Sequence, residues 1–562
     1  MIKKMTETKN MKKRLKTAFA LLLCCALCAS LFAGCSSGDD TLNLIYPFSG
    51  DVTSYDPQIA ATQDDFLIME NVYEGLVRVD DDGTVRPGTA ESWEVTDSGR
   101  TYTFHLKQGC KWHISDAVKE LMGENFAPDV TADDFVFALQ RAADPNTQCP
   151  LFSSISGIEN AQDIQAGKKS VSALGVEATD DYTLVIRLAQ ADSGFLNTLA
   201  TAVAAPCNRA FFEATKGRYG LELKYAMFNG QFYVSSELDT SYVLSQNKSY
   251  SGPSPTKVTR LTLTINEDRA SITENLLSGL YDAAFLSGHE AAAVQAEEEG
   301  ITALPYTDTL WSFVFNCSDE FLANSNIRHA LCTAFGQADL SETDYLQTAT
   351  GYIPPSCMTG GSAYRDSAPN AVYTQDTQNA TELWEKGLEE TDMSTVTLTV
   401  LTTSDMEEYV LEVFQDVQAS IGKIGRYGSG DDAQEIDFTM KTEVLSESEL
   451  QSRVAAGNYQ LAFMRFQATS DNPYAFIQSI NATAAYSSAG TSAFASELQT
   501  LAGRSSSEAE LCADCEKKIL DTYSVCPVFF ETSYYASAKN VTGIQFHAGS
   551  GRVNFCNAAR TD

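Results

Sequence analysis

Three observations predict an α/β protein of more than one domain. Strand patterns of period two and helix patterns of period 3.6 alternate along the chain, which suits mixed layers rather than a sandwich or a bundle. Taking the first 34 residues off the 562 leaves 528, and single cores stop growing beyond ~250–300 residues. There is no repeat of fixed period, and low complexity is confined to short polar loops such as GSGDDAQE at 428–435.

The elements follow in order. Residues 1–16 carry seven basic side chains against one acid, Glu7, and residues 18–33 form a 16-residue apolar run, AFALLLCCALCASLFA. That is short of the ~20 residues a membrane span needs and suits the core of an export signal; Met11 opens an equally good one. Ala33 and Gly34 then precede Cys35. The stretch LFAGC resembles the lipobox of bacterial lipoproteins, with Phe32 where Leu is usual. The resemblance implies acylation at Cys35 after removal of residues 1–34, with 35–41 as a tether. Ordinary cleavage or an uncleaved anchor are the alternatives. Two acyl chains hold firmly where one holds marginally.

TLNLIY (41–46) reads as a first strand. From Thr62, Phe66, Met69, Tyr73 and Leu76 recur at helical spacing. TYTFHLK (101–107) alternates, with Tyr102, Phe104 and Leu106 on one face, which turns His105 towards solvent. TADDFVFALQR (131–141) opens with Thr131 and Asp134 at capping-box spacing. RLTLTIN (260–266) and VTLTVLTT (396–403) are further strands. After the second, Ser404 and Glu407 repeat the capping box and Gly422 suits a helix C-terminus.

The net charge is −35; without the leader's seven cations and one anion it is about −41. Nucleic acid, which needs a cationic footprint, is an unfit partner, and so is anionic lipid; a monomer, touching the membrane only through its anchor, is expected. Ten cysteines lie past Cys35, and their pairing is not deducible from spacing. The CADC at 512–515 falls in a helical pattern with no second CxxC and no nearby His, so buried thiols or a local disulfide fit better than a metal site.

Several stretches, in this order, resemble the oligopeptide- and dipeptide-binding proteins of bacterial ABC importers (solute-binding family 5). They are YDP (55–57), YEGLV (73–77), TAESWEV (89–95), YTFHLKQGCKWH (102–113), VTADDFVFALQR (130–141) and ADPNT (143–147). DIQAGKK (163–169), LGVEATDDYTLVIRL (174–188), LLSGLYDAAF (276–285), NIRHAL (326–331) and GNYQLAF (457–463) continue the series. ADPNT and DIQAGKK point to the oligopeptide branch. The insertion SDAVKELMGENFAP (115–128) replaces a short turn.

The resemblance implies a hinged, two-lobed, periplasmic-binding-protein-like fold of type II. Lobe 1 would span 42–306 with the returning tail 532–562 and carry an inserted sub-domain at about 75–225; lobe 2 would span 307–531. The implied function is capture of a peptide between the lobes and delivery to the permease subunits and ATPases of an importer. The protein would stand on the extracytoplasmic face, at the cell surface or in the periplasm, with no cofactor or metal. A family Asp that holds the peptide's amine aligns with Thr469, with Asp471 two residues on. A family Arg aligns with Phe463, with Arg465 two residues later. The main chains of Arg465 and Gln467, flanking Phe466, would pair with the peptide, and Gln63 would do so from lobe 1. Leu151 replaces a pocket Tyr, and Glu531 stands where a Tyr is usual. Glu531 or Asp471 is therefore the expected amine partner and Arg465 the carboxylate partner, against the alternative of structural or solvated charges.

An exported hydrolase is the main rival class. GxSxG and HExxH do not occur, and the five histidines are scattered. His113, in KWH, reads as a packing residue. GRYGSG (425–430) lacks the lysine of a phosphate loop. Other binding readings are a sugar or metal-complex carrier and a receptor for a peptide signal.

Overall fold

The computed structural model describes residues 42–80, 84–192, 194–252, 255–286, 300–335, 345–359, 362–374, 376–391, 395–404, 437–467, 509–547 and 552–561, with single residues and short pieces between 406 and 435 and between 473 and 480. Cys35, Glu407, Gly422, Thr469 and Asp471 lie outside them. Among the described residues no helix is long and apolar enough to cross a membrane.

The first strand, β1 (Leu42–Phe48), leads through a polar loop into α1 (Gln63–Val72). Thr62 caps α1 and Asp65 returns the bond in a capping box. The helix stops earlier than the apolar spacing suggests: Tyr73 is already extended and Leu76 lies beyond it. The reason is tertiary. Gly230 donates to the Val72 carbonyl and Asn229 bonds both backbone groups of Glu74. A side chain at Gly230 would stand 2.5 Å from the Val72 carbonyl carbon, so only glycine permits this approach.

Strands β2 (Ala90–Thr96) and β3 (Thr101–Leu106) follow. As expected, Tyr102, Phe104 and Leu106 are buried while His105 is half-exposed. The 115–128 stretch contains a short helix, α2 (Asp116–Met122), capped by the Ser115 hydroxyl. Helix α3 (Ala132–Ala143) starts on the expected Thr131–Asp134 capping box. With β4 (Val176–Asp180) and β5 (Thr183–Arg187) the small sheet runs β2-β3-β5-β4. Strands β6 (Phe232–Leu238), β7 (Ser241–Gln246) and β8 (Val258–Ile265) join the first strand as β1-β8-β7-β6. Arg141 of α3 crosses to a buried ion pair with Asp56 and also donates to Gln58 at 2.8 Å. His113 stacks on Tyr233 at 3.7 Å, a packing role.

The second half is built on two long strands. Helix α4 (Arg269–Leu277) and β9 (Ala283–Leu286) precede β10 (Ile301–Phe315). Then come α5 (Ser325–Ala334), β11 (Leu346–Thr348), α6 (Thr377–Thr391), β12 (Thr395–Thr403), β13 (Asp437–Leu445), α7 (Glu447–Ala455) and β14 (Leu461–Gln467). Helix α8 (Ala509–Leu520) leads into β15 (Val525–Ala538). The sheet runs β9-β15-β10-β14-β12-β13, with β11 also on β15.

Strands β10 and β15 pair antiparallel along almost their whole lengths and serve separate cores at their two ends. At one end Ile301, Ala303, Tyr534 and Ala536 pack with Leu276, Ala284 and Leu286 of α4 and β9. At the other, period-two alternation sends Trp311, Phe313 and Phe529 to one face, against α5 and α6. Leu310, Val314 and Phe530 go to the opposite face, against α7 and α8. Cys512 and Cys515 of the CADC motif are buried thiols of α8 on that second face. The chain end returns to α1, where Asn71 donates to the Val553 carbonyl and accepts from the Phe555 amide.

Candidate functional site

The loop before α1 is clamped by two successive acids. Asp65 accepts from the Thr53 amide at 2.8 Å, the Thr53 hydroxyl at 2.6 Å and the Ala61 amide at 3.0 Å. Asp64 accepts from the Ser49 hydroxyl and the Asp51 amide. These bonds hold the start of α1, and hence Gln63, at an exposed position.

Gln63 reaches across 404 positions of sequence: its Nε2 donates to Oε1 of Gln467 at 2.9 Å. Gln467 in turn donates from Nε2 to Oδ2 of Asp308 at 2.6 Å, and the Thr309 hydroxyl donates to Asp308 at 2.9 Å. Asp308 stands at a bulge in β10, where the register with β15 shifts between Thr307 and Thr309. On β15, opposite Thr309, is Glu531, which accepts from the Trp311 indole at 2.7 Å. Both carboxylates are buried, at 3 % exposure each. Burial pushes the Asp308 carboxyl up to about 6. The bonds from Gln467 and Thr309 pull it down, and the charge of Glu531 pushes it up again. Tyr306, beside Asp308, is raised mainly by burial and further by that carboxylate.

Alternation along β14 sorts the remaining expected residues. Phe463 is fully buried among Trp311, Tyr409 and Phe529, stacked on the Trp311 ring at 5.4 Å. Phe466 is buried in the core on the opposite face. Both side chains pack the lobe rather than line an open wall. Arg465 and Gln467 share the face of Phe463 but lie past the edge of its core, both half-buried. Arg465 sits 3.6 Å from Glu447, a loose pairing between partly exposed groups. Leu151 is half-buried in a turn, its carbonyl accepting from the Ser154 amide at 3.0 Å, and has no contact in the Gln63–Gln467–Asp308 chain. Thr469 and Asp471 lie outside the described residues.

The edge of β14 matters most. Strand β12 pairs with it only at Leu461 and Ala462, whereas β10 pairs with it from Leu461 through Gln467. Among the described residues, the 463–467 stretch therefore has a strand partner on one side only. An unpaired strand edge offers its amides and carbonyls to an added strand. Sequence reasoning missed Asp308 and Trp311. Their signal was an acid within the strand YTDTLWSFVF, where an unpaired buried charge is costly. Among the described residues no group of three His, Cys, Asp or Glu is placed to hold a metal.

The comparisons with known proteins agree with this architecture. The model of the bacterial extracellular solute-binding proteins, family 5 (middle), matches residues 84–488. The chain is 27 % identical over 399 residues to the dipeptide-binding protein of Lactococcus lactis subsp. cremoris, covering 68 % of this chain and 70 % of that one. It is 24 % identical over 549 residues to the oligopeptide-binding protein OppA of Bacillus subtilis, covering 93 % of each. Listeria monocytogenes OppA bound to peptide superposes with a TM-score of 0.74 at 20 % identity, over 94 % of this chain and 100 % of that one. The fold is thus the two-lobed, type II arrangement with helices packed on mixed sheets. This chain belongs to the bacterial extracellular solute-binding proteins of family 5.

Proposed function

We propose that this protein is the extracytoplasmic binding subunit of an ABC importer, that it encloses a peptide between its lobes, and that it passes the peptide on unaltered. The observation that carries the reading is that β14 at Arg465 and Gln467 has, among the described residues, a strand partner on one side only, with Gln63 of α1 bonded to Gln467. Main-chain pairing along that edge accepts any sequence, because every peptide supplies the same amides and carbonyls. The names of the relatives support a peptide as the guest. Closure then follows from the guest's greater contact with the shut form.

The lobes are taken as 42–306 with 532–562, and 307–531, β10 and β15 being the crossing strands. Arg465, only loosely paired with Glu447, is the candidate for the peptide's carboxylate. The buried Asp308–Glu531 pair is the candidate for its amine, ahead of Asp471. Cys35 is the lipid attachment point, and the permease is met from outside the cytoplasm.

Mass spectrometry of guests that co-purify with the protein tests the reading: peptides of mixed sequence and intact ends are expected. A single non-peptide molecule would replace the peptide assignment, and recovery of trimmed products would point to a hydrolase. Titration calorimetry with free and N-acetylated versions of one bound peptide tests the amine site, equal affinities ruling it out. Loss of fatty-acid labelling in Cys35→Ser tests the anchor.

A further inference from the structure

Two cysteines far apart in sequence meet in the core between α5 and β15. The Sγ of Cys526 lies 3.9 Å from the carbonyl oxygen of Cys332, and the two residues are 194 positions apart. Each is 2 % exposed, and both belong to the cluster that includes Phe313, Phe335 and Phe529. Both are free thiols, and the Cys332 thiol is pushed well up, first by burial and then by the neighbouring Cys526 thiol. Cys526 sits at the start of β15, paired with Phe313 of β10. Cys512 and Cys515 share one helix, and Cys207 accepts from Arg141 at 3.4 Å.

We infer that Cys332 and Cys526 form a disulfide that bolts α5 to β15 when the chain folds in an oxidising compartment. The chemistry is thiol–disulfide exchange with a small disulfide such as oxidised glutathione. The thiolate of one cysteine attacks the small disulfide, forming a mixed disulfide and releasing one thiol. The second cysteine then attacks the protein-side sulfur and releases the other. Two protein thiols are oxidised to one bond while one external disulfide is reduced to two thiols. Because both native thiols are buried, exchange proceeds during folding or local opening. Once formed, the bond is shielded from reductants by the same burial.

A bridge across so long a stretch removes much of the unfolded chain's freedom. It ties α5 to the strand that carries Glu531 and runs on to β9. The inference rests on the proposed function only in placing the protein on the oxidising side of the membrane.

The test uses the full mature chain, unfolded, reduced and refolded with or without a glutathione redox buffer. It is then denatured, alkylated and mapped by mass spectrometry. The oxidised sample should give a linked peptide containing Cys332 and Cys526 with two fewer alkylated thiols. It should also unfold about 5 °C higher than the reduced sample. In Cys332→Ala and Cys526→Ala that oxidation-dependent difference should vanish, whatever the variants' baseline stabilities. Full alkylation of both thiols after oxidative refolding overturns the inference. So does an oxidation-dependent rise that persists in both variants, or a linked bond that leaves the unfolding temperature unchanged. Ligand titration of the reduced protein reads the binding function separately, so failure of the bond leaves the peptide-binding reading standing.

Discussion

Replacing Asp308 by Asn should make the protein more stable at neutral pH, and the gain should disappear in acid. Asp308 is buried, and its carboxyl is raised from the usual 3.8 to about 6. At ~1.36 kcal/mol per pH unit, that rise corresponds to about 3 kcal/mol. The sign follows from linkage. A carboxyl with a raised folded-state pKa favours the folded protein fully below pH 3.8, and that contribution is lost as pH rises through 6. Above pH 6 the ionised Asp308 burdens the fold, with Glu531 adding like-charge repulsion. Asn at 308 keeps an acceptor for Gln467 and removes the charge, and the Thr309 hydroxyl can rotate to accept. Urea unfolding of ligand-free protein should therefore show Asp308→Asn more stable than the parent by about 2–3 kcal/mol at pH 8. The two should be equal near pH 4. Other raised acids, such as Asp134 at about 7, titrate alike in both proteins and cancel in the difference. A pH-independent difference, or a variant less stable at pH 8, would refute the reasoning. If the strained charge is kept to receive a cation, the same variant should lose affinity for free-amine peptides while keeping it for N-acetylated ones.

Phe463→Ala should lower stability by about 3–5 kcal/mol through loss of core packing, with no change in ligand preference once the folded fraction is corrected by calorimetry. The Gln63–Gln467 bond is partly solvated, so a double-mutant cycle with both alanine variants should return a coupling of about 0.5–1.5 kcal/mol. The Gln467→Ala protein without ligand should also scatter X-rays as a more expanded particle. Glu516 is fully buried on α8; it accepts from the Tyr352 and Ile353 amides and the Tyr364 hydroxyl and pairs with Arg365. Glu516→Gln should cost about 3–5 kcal/mol, because Arg365 is left as a buried charge without its anion; denaturant titration reads this directly.

Local rules carried the sequence reading furthest where an element's neighbours agreed with its own preferences. The alternation in TYTFHLK reappears residue by residue in β3, and the Thr131–Asp134 capping box opens α3 as written. The helix from Thr62 starts where its cap says but stops short, because Asn229 and Gly230 draw the chain away at Tyr73. The site was less legible. Alignment placed Phe463 and Phe466 beside a ligand, but strand alternation turns each into a core. Alignment also passed over Asp308, whose partners Gln467 and Glu531 come from strands more than 150 positions later.

By itself the sequence determined the alternation of strands and helices, the Thr62 and Thr131 helix caps and the strongly negative charge. Those depend on residues a few positions apart, whose geometry is set by backbone period and local hydrogen bonding. Only the tertiary structure decided that Gln63 meets Gln467, that Asp308 is buried beside Glu531, and that, among the described residues, β14 has a strand partner on one side only past Ala462. Each of these is a property of strand register and burial between distant segments, which no local pattern encodes.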